Sequence, residues 1–380
     1  MPNEVIENGQ ELAEWNADNQ CFTIKLPKKI QREVFKGLDM LTTLLTAPKQ
    51  DKQPSSIEVI DTENISDDDE DEFDWHFEQT IRTETDDMAL LGEKYGFANK
   101  YSGVINRLQE EIEIVDIEGA DKKPLAVRAQ EKLLREENDF DDDHYLADKY
   151  EQPEELRDIL KFKTVWQTEL KPSLDDDDRF KLKNLPRKDH LLSKEEKRSL
   201  LLGLIDILFA YAYDMRTTEG DHSVESAWTV CKLSSNLSWF VSYSSLKQTI
   251  SSSIRRSLIY PLYRNWELSL QVHSDTIDIL KQGRVGVLKC LLDIHRLLNE
   301  SGESRYIINN LYITDYCVWV QKVKEETLDE LAKALEEISL SKKDIELDLE
   351  LLEKAAKITL ENQAADMQNV SEQMHTLRVQ

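Results

Sequence analysis

The stretch Tyr211–Trp239, YAYDMRTTEGDHSVESAWTVCKLSSNLSW, decides how the chain is read. Apolar and aromatic residues run to Met215, Gly220 lets the backbone turn, and Ser223 is placed to cap the next helix. The spacing predicts a helix ending near Arg216. It predicts a second one whose Val224, Ala227, Trp228 and Cys231 share an apolar face. A packed helical core with a cap accounts for much of this. Upstream, Ser193 with Glu196 forms a capping box, in which hydroxyl and carboxylate each meet a free N–H. Leu200, Leu201, Leu204, Ile205, Leu208 and Phe209 then cover a face too wide for a lone surface helix, which marks the centre of a domain.

The helical pattern extends in both directions, from about Lys94 to Leu340. Downstream comes IRRSLIYPLYRNWE (Ile254–Glu267), where Pro261 ends one helix or opens the next. Gly283 closes another helix before the apolar period resumes at Val285. No fixed repeat is visible, so helices packed irregularly into one domain over 93–340 are expected. In the tail, 341–380, Ser341 with Asp344 heads a helix. Its stripe of Leu347, Leu351 and Leu352 is thin enough to need support from this domain or from a partner. Residues 362–380 are expected to be disordered.

Before this domain the pattern changes twice. Residues 1–48 read as strands: Asn8-Gly9 and Asp18-Asn19 are turn signals, and Phe22, Ile24 and Leu26 alternate onto one face. Gly37–Leu45 is a short amphipathic piece. So few strands make no self-sufficient sheet. Residues 49–92 form an acidic linker, with 10 acidic residues and no Lys or Arg between Asp61 and Glu78. Phe73, Trp75 and Phe77 interrupt that run and read as an anchor. Ser66, directly before DDDED, is a candidate site for acid-directed kinases; mass spectrometry finding it unmodified in cells removes it.

The 380 residues carry 75 Asp+Glu against 48 Lys+Arg, a net charge of −27. Such a charge opposes direct binding to nucleic acid or to anionic membranes and favours a basic protein partner. The four cysteines are scattered without a CxxC pair, as expected of reduced thiols in cytosol or nucleus. The N-terminus has no signal-peptide pattern, and Leu200–Tyr213 is too short to span a bilayer. A soluble intracellular monomer is expected.

No catalytic pattern emerges: GxSxG, the Walker loop and HExxH are absent. His222 and Glu225, one turn apart, read as a surface salt bridge or cap, and Cys290 and His295 as residues without a ligand role. Hence no cofactor and no metal are expected. The acidic runs Asp67–Glu72, Asp141–Asp143 and Asp175–Asp178 lack the glycine of a calcium loop. They are either solvated loops or a surface for a basic groove, and Asp175, Asp176, Asp177 and Asp178 are the best candidates for the latter. Arg255, Arg256 and Arg264, beside Tyr260, Tyr263 and Trp266, brace the domain internally, form a protein interface or stack on RNA, in that order of preference. Trp228, if fully buried, should be indispensable to the fold.

Together, RTTEG–x4–ESAWT (Arg216–Thr229) and RRSLxYPLYRxWEL (Arg255–Leu268) resemble the signature of the Shq family, assembly chaperones of H/ACA ribonucleoproteins. IENGQELAEWNADNQCFTIKLPK and FKGLDMLTTLL resemble the last part of that family's CS domain, so the first strands of a CS sandwich are expected to be missing. KYGFANKYSGVINRLQEE (Lys94–Glu111) resembles the entry into its specific domain. The resemblance implies a mainly α fold: an irregular multi-helix Shq-specific domain behind a partial β segment and the acidic linker, with Trp75 docked on the helical domain. It implies a nucleoplasmic and cytoplasmic protein that binds dyskerin, the pseudouridine synthase of H/ACA particles, on the surface guide RNA later uses. Release would fall to the ATPases pontin and reptin. Two other classes stay open, a generic acidic scaffold for another basic nuclear client and an enzyme using the acidic runs with a metal.

Overall fold

The computed structural model describes residues 12–16, 21–25, 29, 92–105, 115–168, 172–302 and 304–362. The chain divides into two units, Met1–Gln79 and Thr80–Gln380. In the first, β1 (Leu12–Asn16) pairs antiparallel with β2 (Cys21–Lys25), setting Trp15 opposite Phe22. Val5-Ile6, Gly37–Leu45, Ser66, the Asp67–Glu72 run and the Phe73, Trp75, Phe77 anchor lie outside the described residues, as do residues 363–380.

The second unit is helical. Its longer helices are α1 (Leu125–Asp139), α2 (Asp142–Tyr150), α3 (Glu154–Lys161), α4 (Asp176–Asn184), α5 (Lys194–Thr217) and α6 (Ser226–Leu233). They are followed by α7 (Leu246–Ser257), α8 (Trp266–Lys281), α9 (Gly283–Glu300), α10 (Thr314–Val320) and α11 (Glu325–Glu336). The expected capping box opens α5: Glu196 N–H donates to Ser193 Oγ at 3.1 Å, and Ser193 N–H to Glu196 Oε2 at 2.7 Å. From Leu202 to Arg216 every residue of α5 is buried. A helix buried on all sides must be wrapped, and α6, α7 and α8 pack against it. Gly203 lets the wrapping close in: a Cβ there would sit 2.6 Å from Tyr316 Oη, which donates to the carbonyl of Leu200 at 3.0 Å.

The turn after α5 forms as expected. Gly220 has φ 88°, and its N–H returns to the carbonyl of Met215 at 2.8 Å. The face of α6 is corrected. Ala227 and Cys231 are buried, but Val224 precedes the helix and is 88% exposed, while Trp228 is only half-buried. Its truncation to Ala should therefore cost about 1.5–2.5 kcal/mol, half the loss for a fully buried aromatic, and leave a folded protein. A cooperative thermal transition of Trp228→Ala checks this.

Two more expectations fail for backbone reasons. Residues 92–105 form no α-helix, with a 3-10 turn at Phe97–Asn99, because Gly96, Ala98, Asn99 and Gly103 all take positive φ. The segment folds back through a bridge between Tyr95 and Tyr101 and is fastened by aromatics. Tyr95 stacks on Phe240 with centroids 4.9 Å apart, and Phe97 meets the edge of Tyr316 at 5.0 Å. In the tail, Ser341 and Asp344 do form a capping box, but over a 3-10 turn (Lys342–Ile345). Glu346 then enters the left-handed region at φ 58°, and the helix resumes only at residues 349–362. Ile345, Leu347 and Leu349 are buried, so the tail packs on its own unit.

Candidate functional site

Four carboxylates stand at the head of α4, and each has local work. Asp175 caps the helix, its Oδ1 accepting from Asp178 N–H at 2.8 Å while Asp178 Oδ2 accepts from Asp175 N–H at 3.3 Å. Asp176 lies 3.3 Å from Arg179 and Asp177 2.6 Å from Lys181. Both pairs are largely solvent-accessible, so each contributes only about 0–1 kcal/mol. Asp175, Asp177 and Asp178 also border a cleft of about 370 Å³ whose other lining includes Trp166, Tyr211 and Lys289. Phe180, on the same helix, is 65% exposed. An exposed aromatic beside four carboxylates joins an apolar anchor to a charge that steers.

The basic candidates sit elsewhere and face inward. Arg256 is fully buried. It donates to Glu136 at 2.9 Å, Asp116 at 3.1 Å, the carbonyl of Lys232 at 2.8 Å and Ser238 Oγ at 3.2 Å. Arg255 lies 3.0 Å from the other oxygen of Glu136 and donates to the carbonyls of Ile345 and Glu346 at 2.9 and 2.8 Å. Trp266 is buried at the start of α8. Half-buried Arg264 binds Asp148 through its backbone N–H at 2.6 Å and the carbonyl of Pro261 through Nε at 3.2 Å. Arg255, Arg256 and Trp266 thus offer no surface to a client or to RNA, because their polar groups and ring are committed inside the fold.

The partners of three sets of residues are not legible in the sequence. The buried side chains of α1 are Arg128, Lys132 and Glu136, while Leu133 and Leu134 are 40% and 54% exposed. This helix docks by its charged stripe, visible at i, i+4, i+8 but carrying the opposite sign from an ordinary amphipathic pattern. Asp206, in the middle of α5, is buried and accepts from Ser234 Oγ at 2.6 Å, Asn236 N–H at 2.9 Å, Ser253 Oγ at 3.0 Å and Tyr243 Oη at 3.2 Å. Burial pushes its carboxyl pKa up, against the pull of those donors.

His222 pairs not with Glu225 but with Asp214 at 2.7 Å and Asp293 at 2.5 Å, tying the turn after α5 to α9. Burial opposes the imidazolium, but the hydrogen bonds and charges of the two aspartates outweigh it and raise the pKa to about 9. The folded state therefore holds this proton more tightly than the unfolded chain. The linked stability is fully present below the ordinary value of 6.5 and fades as pH rises through about 9. Between those limits the native protein should lose more stability in urea titrations than His222→Ala does; equal losses would refute the linkage.

Among the described residues no group of three or more His, Cys, Asp or Glu is arranged to hold a metal ion, and no helix is long and apolar enough to cross a membrane.

Residues 164–349 match the Shq1 domain of the SHQ1 protein family, and residues 1–45 match the SHQ1-like CS domain. A protein from Mus musculus described as Protein SHQ1 homolog is 41% identical, the alignment covering 96% of this chain and 68% of that protein. The chain belongs to the SHQ1 family. Protein shq1 of Schizosaccharomyces pombe is 32% identical across 95% of this chain and 86% of its own length. The SHQ1 homolog of Xenopus tropicalis is 41% identical over 96% of this chain, which spans 62% of that relative. The Shq1-domain match begins at the α4 cleft and ends at buried Leu349, so both signature motifs and the packed tail fall inside it. The CS match takes in β1 and β2.

Proposed function

We propose that this SHQ1-family chain is an assembly chaperone for H/ACA small nucleolar ribonucleoproteins. In this reading it binds the pseudouridine synthase dyskerin and shields its RNA-binding surface until guide RNA arrives. The observation that supports it most is the Asp175–Asp178 run, with Asp175, Asp176 and Asp177 exposed, beside exposed Phe180 on α4 of a chain with net charge −27. Carboxylates on a preformed helix can stand in for phosphates on a basic groove, with the aromatic setting register. The chain acts by binding rather than turnover, in nucleus and cytoplasm, and pontin and reptin supply the active release step.

Size-exclusion chromatography of the full chain with dyskerin, with and without guide RNA, tests this. Co-elution that guide RNA abolishes is expected; a ternary complex overturns the shielding role, and recovery of a different basic client favours a general acidic scaffold. Replacing Asp175–Asp178 by Asn should slow association with dyskerin at low salt by about tenfold and flatten its salt dependence. Unchanged association kinetics would remove this run from the interface.

A further inference from the structure

The two signature motifs, far apart in sequence, meet at one groove. A hollow of about 340 Å³ separates the turn after α5 from the loop between α7 and α8. Trp228 and Glu225 of the first motif line one side, Pro261, Leu262 and Tyr263 of the second line the other, and Tyr213 contributes from α5. The walls are fixed: Tyr213 Oη donates to the carbonyl of Tyr263 at 2.6 Å, and Thr218 Oγ1 to that of Asp214 at 2.8 Å. The groove's lining is open. Leu262 is 71% exposed, Trp228 is partly exposed, and neither its indole N–H nor the Tyr263 hydroxyl has a hydrogen-bond partner among the described residues.

Charge adds direction. Glu219, Asp221 and Glu225 are exposed on the same turn, and none has a cationic partner among the described residues. An aromatic slot with free donors is complementary to an extended backbone, whose carbonyls point outward and lack internal partners. Of these three carboxylates Glu225 lines the groove itself, and it complements a cation on that backbone.

We infer that this groove binds an extended, proline-containing peptide segment bearing Lys or Arg, with Trp228 and Tyr263 donating to its carbonyls and Glu225 meeting its cation. The site lines a different cavity from the α4 run, so it goes beyond the surface proposed above, and the two can fail separately.

The test uses the full chain and a fluorescein-labelled peptide alternating proline with arginine and leucine, read by anisotropy. Saturable binding is expected, with the glutamate-for-arginine version at least about tenfold weaker. Glu225→Lys and Leu262→Asp, both at exposed positions, should each weaken binding about tenfold, and Trp228→Phe several-fold through loss of the N–H. The Asp175–Asp178 to Asn variant should bind like the native chain. Absence of binding, equal binding of the two peptides, or native affinity in all three groove variants overturns the inference. So does a labelled single-stranded RNA that binds the native chain and is released by Trp228→Phe and Leu262→Asp, which would make the groove a base-stacking site.

Discussion

Arg256→Ala should destabilise the helical unit by about 3–5 kcal/mol in urea unfolding. The guanidinium reaches Glu136 on α1, Asp116 before it, the last turn of α6 and Ser238, so one side chain joins four parts of the chain. Removing it leaves the carboxylate of Glu136, itself fully buried, with part of its countercharge gone, and leaves the carbonyl of Lys232 short of donors. Lys132 at 3.2 Å and Arg255 at 3.0 Å still face Glu136, which keeps the loss from being larger. Arg256→Lys should rescue little, because a single ammonium cannot reach acceptors spread around a planar fork. A loss below about 1 kcal/mol for Arg256→Ala would show that α1 is not held by its charges.

Arg216→Ala should have a comparable effect, about 3–5 kcal/mol. Arg216 donates to both oxygens of Asp275 on α8, at 2.5 and 2.9 Å, and to the carbonyls of Ile159 and Phe162 at 3.0 and 2.9 Å. It thereby fixes the end of α5 to α8 and to the exit of α3. Asp275 is fully buried, and without the arginine the side-chain donor left to it among the described residues is Gln167, 3.0 Å away. The double variant Arg216→Met with Asp275→Leu should recover much of the stability, since it removes both charges rather than stranding one. A double variant no more stable than Arg216→Ala would indicate that the carbonyls of Ile159 and Phe162, not the aspartate, carry the dependence.

Local signals proved legible in the sequence and distant pairings did not. The Ser193–Glu196 box, the Gly220 turn and the breadth of the α5 apolar face each depend on residues within a few positions of one another. The mainly α fold followed from them. The arginines of the second motif were conspicuous, but their acceptor Glu136 lies about 120 residues earlier, where nothing in the local pattern pointed to it. The same holds for Asp206, evident as a charge inside an apolar run, whose donors come from residues 234–253. Gly96 and Gly103 did signal that the entry segment would not be helical, and there the helical reading overrode two breakers. At the candidate site the acidic run was plain from composition, whereas the exposure of Phe180 and the meeting of the two motifs depend on which helices lie beside which.

The packed helical unit reaches past α11. Arg255 ends on the carbonyls of Ile345 and Glu346, and Glu353 receives the hydroxyl of Tyr145 at 2.6 Å. The chain from 342 to 353 therefore works as a clasp fastened across α2 and α7. A truncation at residue 340 would strip acceptors from a buried guanidinium and uncover the aliphatic seat of Ile345, Leu347 and Leu349. Any minimal fragment made for crystallisation or client capture should run at least through Glu353.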